Sequence, residues 1–180
     1  MSDGADDGQC GQQWQAARRS ADRAHGRLVE LGRTVAVAES LTGGLISALL
    51  TEAPATSVTF RGGFVLYATD LKHAVAGVDE DALEKHGPVH GEIAEQMAAG
   101  VRDRMQADYG IGVTGVAGPS GQHDSPVGEV FVAISCDASL ASSRHQFDGS
   151  RNEIRTAAAA AALSELVAVL DTATAPEPAT

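Results

Sequence analysis

The sequence predicts an α/β protein, a three-layer α/β/α sandwich with a central mixed sheet. Segments with helical and strand-like spacing alternate along a chain of 180 residues, which indicates a sheet with helices on both faces. The 20 glycines and an aromatic fraction of only 4% are typical of an α/β protein with many tight turns and an aliphatic core. The length suits one domain with a single substantial core.

We expect this domain to cover residues 12–170, with a disordered tail at each end. Residues 1–11 are polar and contain glycine, and residues 171–180 contain two prolines. We detect no internal repeat between them, so the sequence gives no reason for a second domain.

The charge and cysteine content exclude several classes of function. A formal net charge of -11 argues against a nucleic acid or an anionic membrane as the main partner. Cys10 and Cys136 lie far apart, which fits neither a disulfide framework nor a metal-ligand spacing. No run of 18 apolar residues predicts a membrane span, and the N-terminus is acidic where a signal peptide would be basic. We therefore expect a cytoplasmic protein.

The first half of the chain alternates between helix and strand signals. A moderately amphipathic helix is predicted over residues 12–31, and an apolar, β-branched strand over residues 35–39. A short helix over residues 45–50 follows a turn. Residues 58–67 mix β-branched and aromatic side chains around two consecutive glycines, which indicates a strand with a bulge or a close approach.

The same periodicities predict the elements of the second half. Helical spacing predicts helices over residues 70–77, 79–86, 91–105 and 152–170. Strands are predicted over residues 109–114, 127–135 and 142–147, with the last two forming a hairpin. The intervening loop over residues 115–126 is rich in Gly, Pro and Ser, and its length suggests a function.

Ser40 stands where the first predicted strand turns into a helix. A hydroxyl at this corner lies at the carboxyl edge of the sheet, beside backbone N–H groups that can face an anion or an oxyanion. A nucleophile next to such donors is the arrangement used in acyl transfer, although a helix cap or a phosphate-binding turn would have the same pattern. Thr42 could supply the cap instead. In the first turn of a helix, Gly43 and Gly44 would each be destabilising by about 1 kcal/mol relative to alanine. Their presence therefore indicates close approach of a ligand or a neighbouring strand.

Tyr67 and Lys72 are the candidate partners of that serine. A serine nucleophile needs a base, and a lysine can serve where burial lowers its pKa. A tyrosine beside it could relay a proton or donate to the oxyanion. The alternative is a surface lysine and a packed tyrosine. Glu39 could orient Lys72 or a substrate hydroxyl, or pair with a nearby cation.

A second glycine-rich strand end follows the predicted strand over residues 109–114. Its glycines match a dinucleotide-binding fingerprint by letters, but the run continues into Pro119 where the fingerprint requires a helix. Thr114 and Gly115 could therefore line a pocket, or lie in a surface turn. Two such strand ends in one α/β domain favour a shared crevice.

Cations and histidines complete the set of candidates. Arg151 and Arg155, one helical turn apart, could hold a phosphate or lie on a solvated helix face. The six histidines form no metal-binding pattern, because Gly87-Pro88 interrupts the helix that would place His86 and His90 on one face. We therefore expect neither a metal site nor a cofactor.

Five motifs in order along the chain resemble the CinA C-terminal domain family. They are Ala38–Gly44, Gly63–Tyr67 with Lys72, Gly115–Pro119, Pro126–Val130, and Phe147–Arg151 continuing to Arg155. The resemblance covers about residues 30–170. The chain departs from many members at His90-Gly91-Glu92, where they carry Ser-Glu, and at Ser150, where Asp is common.

The resemblance implies a serine amidohydrolase that needs no metal or cofactor. The family includes nicotinamide-nucleotide amidase, which hydrolyses the carboxamide of nicotinamide mononucleotide to nicotinate mononucleotide and ammonia. Ser40 would be the nucleophile, and Tyr67 and Lys72 would handle its proton. The N–H groups of the Thr42-Gly43-Gly44 turn would hold the oxyanion. The implied substrate-binding residues are Glu39, Thr42, Gly43, Gly44, Thr114, Gly115, Arg151 and Arg155. A homodimer is expected from the family, and a non-catalytic nucleotide-binding or competence-related module of the same fold is the alternative.

Overall fold

The computed structural model describes residues 6–122 and 124–174, and the side chains from residue 11 onward within those ranges. Its strands are β1 (Val35–Glu39), β2 (Phe60–Val65), β3 (Tyr109–Gly115), β4 (Glu129–Ser135) and β5 (Leu140–Gln146). Its helices are α1 (Asp6–Leu31), α2 (Leu45–Leu50), α3 (Thr69–Ala76), α4 (Glu80–His86), α5 (Gly91–Arg104) and α6 (Arg151–Thr172). A 3₁₀ helix covers Thr56–Val58.

These elements form the predicted three-layer sandwich. The strands of the described residues make one mixed sheet in the order β2-β1-β3-β4-β5. Strand β1 pairs in parallel with both β2 and β3, while the remaining pairs are antiparallel, so β4 and β5 form the expected hairpin. The register between β1 and β2 shifts at Val35, which confirms the predicted irregularity of the glycine-containing strand. The carboxyl ends of the three parallel strands therefore share one edge of the sheet.

Two hydrophobic clusters cover the two faces of this sheet. On one face α1, α2 and α6 bury aliphatic side chains such as Leu28, Ile46 and Leu163. On the other face α5 buries Ile93 and Met97 against β1 and the α3–α4 segment. The apolar faces of the helices thus pack on both sides of the sheet and form a helix layer on each side.

Both terminal helices are longer than the sequence predicts. Helix α1 begins at Asp6, within the expected N-terminal tail, and α6 extends to Thr172. The apolar stripe that sets a predicted boundary marks only the turns that face the core, and a helix can continue beyond it. Asp171 bonds to Arg23 at 2.6 Å, which links the last turn of α6 to α1. Residues 1–5 and 175–180 of the expected tails lie outside the described part of the chain.

Gly110 and Gly112 of β3 allow a helix to pack closely on the strand. A Cβ added at Gly112 would lie 2.1 Å from the Ala94 carbonyl oxygen of α5, and one at Gly110 would lie 2.1 Å from that of Ala98. Their alternation lets α5 pack directly on the strand, which explains the misleading fingerprint.

We predict that Gly112→Ala lowers the free energy of unfolding by about 3 kcal/mol, because the new methyl group overpacks a rigid backbone contact. Chemical denaturation followed by circular dichroism measures the change. The control is Gly26→Ala in α1, where a Cβ meets nothing within 4 Å. We expect that variant to gain up to about 1 kcal/mol from helix propensity. Equal stability of the two variants would contradict the prediction.

Candidate active site

Ser40 is the first residue beyond β1, at the shared carboxyl edge of the parallel strands. Its N–H donates to the Val113 carbonyl at 3.0 Å, so the backbone leaves the sheet only after this position. The side chain is 9% exposed and lines a cavity. Ser40 does not cap α2, because the N-cap residue is Gly44 and no side chain caps it. The hydroxyl is therefore available at the cavity.

Lys72 lies directly behind this hydroxyl. Helix α3 carries its side chain under the strand edge, where Nζ lies 2.9 Å from Ser40 Oγ and 2.9 Å from the Leu66 carbonyl oxygen. Lys72 is 1% exposed, and burial lowers its pKa to about 8, because the ammonium form loses its hydration. The neutral amine that a general base requires is thus accessible near physiological pH.

Glu39 holds the turn that follows Ser40 and does not orient Lys72. One carboxylate oxygen accepts from the N–H groups of Gly44 (2.9 Å) and Ile46 (3.2 Å), and the other accepts from the N–H (2.9 Å) and hydroxyl (2.7 Å) of Ser47. The carboxylate is fully buried and faces the positive end of α2. These four donors occupy the carboxylate, and it forms no hydrogen bond with Lys72.

Of the three N–H groups predicted for the oxyanion, only that of Thr42 is unbonded among the described residues. The Gly43 N–H donates to the Ser40 carbonyl at 3.1 Å, and the Gly44 N–H is bound by Glu39. Neither glycine is left to hold an oxyanion. The N–H groups of Leu41 and Thr42 take part in no hydrogen bond between described residues. The Thr42 side chain is fully buried, and its hydroxyl likewise has no described partner.

The cavity above Ser40 has a volume of about 310 Å³. Its other walls are Leu41, Tyr67, Arg151 and the β3–β4 loop. The end of β3 contributes Gly115, and the loop contributes Val116, Ala117, Gly118, Ser120, Gly121 and Gln122. Gly115 thus lines the cavity as predicted, whereas Thr114 does not. The Thr114 side chain is buried and donates to the Pro88 carbonyl at 2.7 Å.

Tyr67 is bonded to Arg151 and not to Lys72. Arg151 donates to the Tyr67 hydroxyl at 2.6 Å and to the Gly118 carbonyl, so it bridges the mouth of the cavity. Tyr67 is 61% exposed. The expected Tyr67–Lys72 pair is therefore not formed, because the two side chains leave the β2–α3 segment toward the rim and the core respectively.

Arg155 faces the backbone of the turn and not the cavity. Its Nε donates to the Leu41 carbonyl at 3.0 Å and its Nη2 to the Thr42 carbonyl at 2.9 Å. Arg151 is consequently the only charged group among the described residues that line the cavity. The cap formed by Ser150 and Glu153, each accepting from the backbone of the other, fixes the start of α6 and hence both arginines.

The structure brings together His86, His90 and Glu92, whose possible metal-ligand atoms all lie within 4.8 Å of one another. The helix is nevertheless interrupted at Gly87-Pro88, as predicted. The two imidazole rings stack at 4.1 Å and 6°, and His86 Nε2 lies 3.2 Å from a Glu92 oxygen. Parallel rings cannot direct their in-plane lone pairs at a single ion. In addition, His90 Nδ1 accepts from the Glu92 N–H at 3.2 Å and so caps α5. The geometry supports a cap, and the sequence missed the contact because it depends on the turn.

No described helix is both long and apolar enough to span a membrane. The site combines the Ser40 hydroxyl with a buried amine behind it and a cation at the rim. Two N–H groups that have no partner within residues 6–122 and 124–174 follow the hydroxyl, and this arrangement suits acyl transfer.

Comparison with known proteins gives relatives with the same fold. The chain is 46% identical over 138 residues to a CinA-like protein of Frankia casuarinae and 44% identical over 135 residues to one of Thermotoga maritima. These matches cover 77% and 74% of this chain but only 32% and 33% of the relatives. The chain therefore spans about a third of the length of these curated relatives.

Solved structures agree over most of both chains. A competence/damage inducible protein from Agrobacterium tumefaciens has a TM-score of 0.82 at 36% identity, covering 87% of this chain and 96% of that one. A competence-damaged protein (CinA) superfamily protein from Escherichia coli has a TM-score of 0.83 at 28% identity, covering 85% and 90%. The family model for the CinA C-terminal domain matches residues 17–170. The chain belongs to the CinA C-terminal domain family.

Proposed function

We propose that this protein is a nicotinamide-nucleotide amidase that converts nicotinamide mononucleotide and water to nicotinate mononucleotide and ammonia. The observation that carries the proposal is the buried Lys72 amine, 2.9 Å from the Ser40 hydroxyl at the floor of an open cavity. A lysine that lacks hydration and touches a serine is poised to accept its proton.

The reaction proceeds through an acyl-enzyme. Neutral Lys72 takes the proton of Ser40, and Oγ attacks the carboxamide carbon. The resulting ammonium donates to the Leu66 carbonyl, which already accepts from Nζ. The ammonium then protonates the leaving nitrogen, the C–N bond breaks, and ammonia departs. Water attacks the ester with Lys72 again as base, which releases the carboxylate and restores Ser40.

Two further features support this substrate. The N–H groups of Leu41 and Thr42 have no partner among the described residues and directly follow Ser40 in the chain, and we assign them to the developing oxyanion. Arg151 supplies a guanidinium at the cavity rim, which suits a substrate with an anionic phosphate. We further propose a role in nucleotide salvage and, as expected from the sequence, a location in the cytoplasm. Light scattering would test the expected homodimer.

The direct test is release of ammonia from nicotinamide mononucleotide by the purified protein, with nicotinate mononucleotide identified by mass spectrometry. Free nicotinamide, which lacks the ribose 5′-phosphate, serves as the control substrate and should react far more slowly. Tight binding of the nucleotide without any turnover would reject the amidase and favour the non-catalytic nucleotide-binding module.

Tyr67→Phe should act mainly on substrate binding, because the lost hydroxyl holds Arg151 and does not contact Ser40 or Lys72. We expect KM to rise about 10-fold, since a hydrogen bond to a charged group is lost, while kcat stays within about threefold. The double variant with Arg151→Gln should be little worse than Arg151→Gln alone. A 100-fold fall in kcat for Tyr67→Phe would instead assign the proton transfer implied by the family resemblance to this hydroxyl.

A further inference from the structure

We infer that Arg155 is a positioning residue for the oxyanion site of the proposed reaction, and not a ligand of the substrate phosphate. The role at an oxyanion rests on the proposed function, whereas the contacts between Arg155 and the turn do not depend on it. Arg155 reaches from α6 to the turn at the nucleophile, 113 and 114 residues earlier in the chain.

The guanidinium fixes two consecutive peptide groups. Nε binds the Leu41 carbonyl and Nη2 binds the Thr42 carbonyl, at 3.0 and 2.9 Å. The planar fork of an arginine can satisfy both acceptors at once, which a lysine cannot do. Rotation of either peptide group would break one of these bonds.

The orientation of each carbonyl determines the direction of an N–H group. In a trans peptide the N–H points opposite to the C=O of the same plane. With the Leu41 carbonyl held on Arg155, the Thr42 N–H points away from the guanidinium. With the Thr42 carbonyl held likewise, the Gly43 N–H points inward and donates to the Ser40 carbonyl at 3.1 Å. That bond in turn directs the Leu41 N–H away from the closed turn.

Gly43 provides the space that this arrangement needs. A Cβ at this position would lie 3.1 Å from Arg155 Nη2, and the backbone φ of +60° favours glycine. Glu39 holds the N–H groups at the far end of the turn while Arg155 holds its carbonyls. The two N–H groups left free, those of Leu41 and Thr42, are thereby preorganised beside Ser40 Oγ.

The activity test compares Arg155→Gln and Arg155→Lys with Arg102→Gln. Arg102 is the matched control, because its Nε also donates to a backbone carbonyl, that of Asp108, outside the cavity. We expect Arg155→Gln to lower kcat about 100-fold, as for a lost oxyanion donor, with KM within about threefold. Arg155→Lys should be intermediate and Arg102→Gln close to wild type. A large rise in KM at constant kcat would make Arg155 a phosphate ligand and overturn the inference.

Amide hydrogen exchange measured by NMR provides a readout independent of turnover. The Gly43 N–H should lose at least about 10-fold protection in Arg155→Gln, while that of Ile111 in β3 stays unchanged. Unchanged Gly43 protection would overturn the inference whatever the kinetics. Lost Gly43 protection in a protein that releases no ammonia would support the positioning role and reject the proposed amidase.

Discussion

Ser40→Ala should abolish ammonia release from nicotinamide mononucleotide, with a fall in kcat of about 10⁴-fold or more. The hydroxyl is the only nucleophilic group that contacts the buried Lys72 amine among the described residues, so its removal leaves no route to an acyl-enzyme. Nucleotide affinity should stay within a few-fold, because a methyl group retains the shape of the cavity floor. Steady-state kinetics and calorimetric titration measure the two effects.

Ser120→Ala is the matched control for this variant. Ser120 lines the same cavity but lies on its exposed loop, away from Lys72. We expect its kcat to stay within about threefold of wild type. Comparable activity in Ser40→Ala and wild type would show that hydrolysis occurs elsewhere or by another nucleophile.

Lys72→Met should produce the second large loss, about 10³-fold in kcat, because the general base is removed while the hydrocarbon part of the side chain is retained. The chain contains one other lysine, Lys85, which is exposed on α4. Lys85→Met is therefore the natural control and should keep full activity. Retention of more than a tenth of wild-type kcat by Lys72→Met would exclude the amine as the base.

Lys72→Met should also stabilise the fold. In the unfolded chain Lys72 keeps its proton up to about pH 10.5, whereas in the folded protein it does so only up to about pH 8. The cost of burying the charge is complete below pH 8, declines between pH 8 and 10.5, and is absent above that range. Lys72→Met should thus raise the free energy of unfolding at pH 7 by up to about 3 kcal/mol, and the gain should vanish above pH 10.5. Denaturation curves across this range test the sign.

The pH dependence of wild-type activity follows from the same amine. The value of kcat/KM should rise with pH and reach a plateau, with a midpoint near 8, because only the neutral form accepts the Ser40 proton. Below the midpoint each pH unit should cost about a factor of ten. A profile that is flat between pH 6 and 9 would contradict assignment of the base to Lys72.

Stability and activity therefore oppose each other at this site. The buried amine destabilises the folded state, yet its lowered pKa makes it a base near neutral pH. Glu39 and Arg155 act in the opposite direction, since each satisfies several backbone groups of the turn. The proposed mechanism requires a rigid turn beside a lysine whose burial destabilises the folded state.

The sequence alone determined the layers of the fold and the strand-to-helix corner that presents Ser40. Hydrophobic periodicity depends on which face of an element is buried, so it located β1, the helices on both sides and the β4–β5 hairpin. The motif residues placed Ser40 after a buried strand and Lys72 on the short helix that follows the next strand. Boundaries were less accurate, as α1 shows, because solvent-exposed turns leave no periodic signal.

Only the tertiary structure decided which groups meet at that corner. Tyr67 bonds to Arg151, 84 residues away, instead of to its near neighbour Lys72, and Arg155 binds turn carbonyls instead of facing the cavity. Glu39 is occupied by backbone N–H groups, and Lys72 is held partly by the Leu66 carbonyl. Backbone donors and acceptors are the same at nearly every residue, so no sequence pattern marks the ones that a side chain will bind. The side chains that bind these backbone groups are determined by which later segments of the chain fold back to this edge of the sheet.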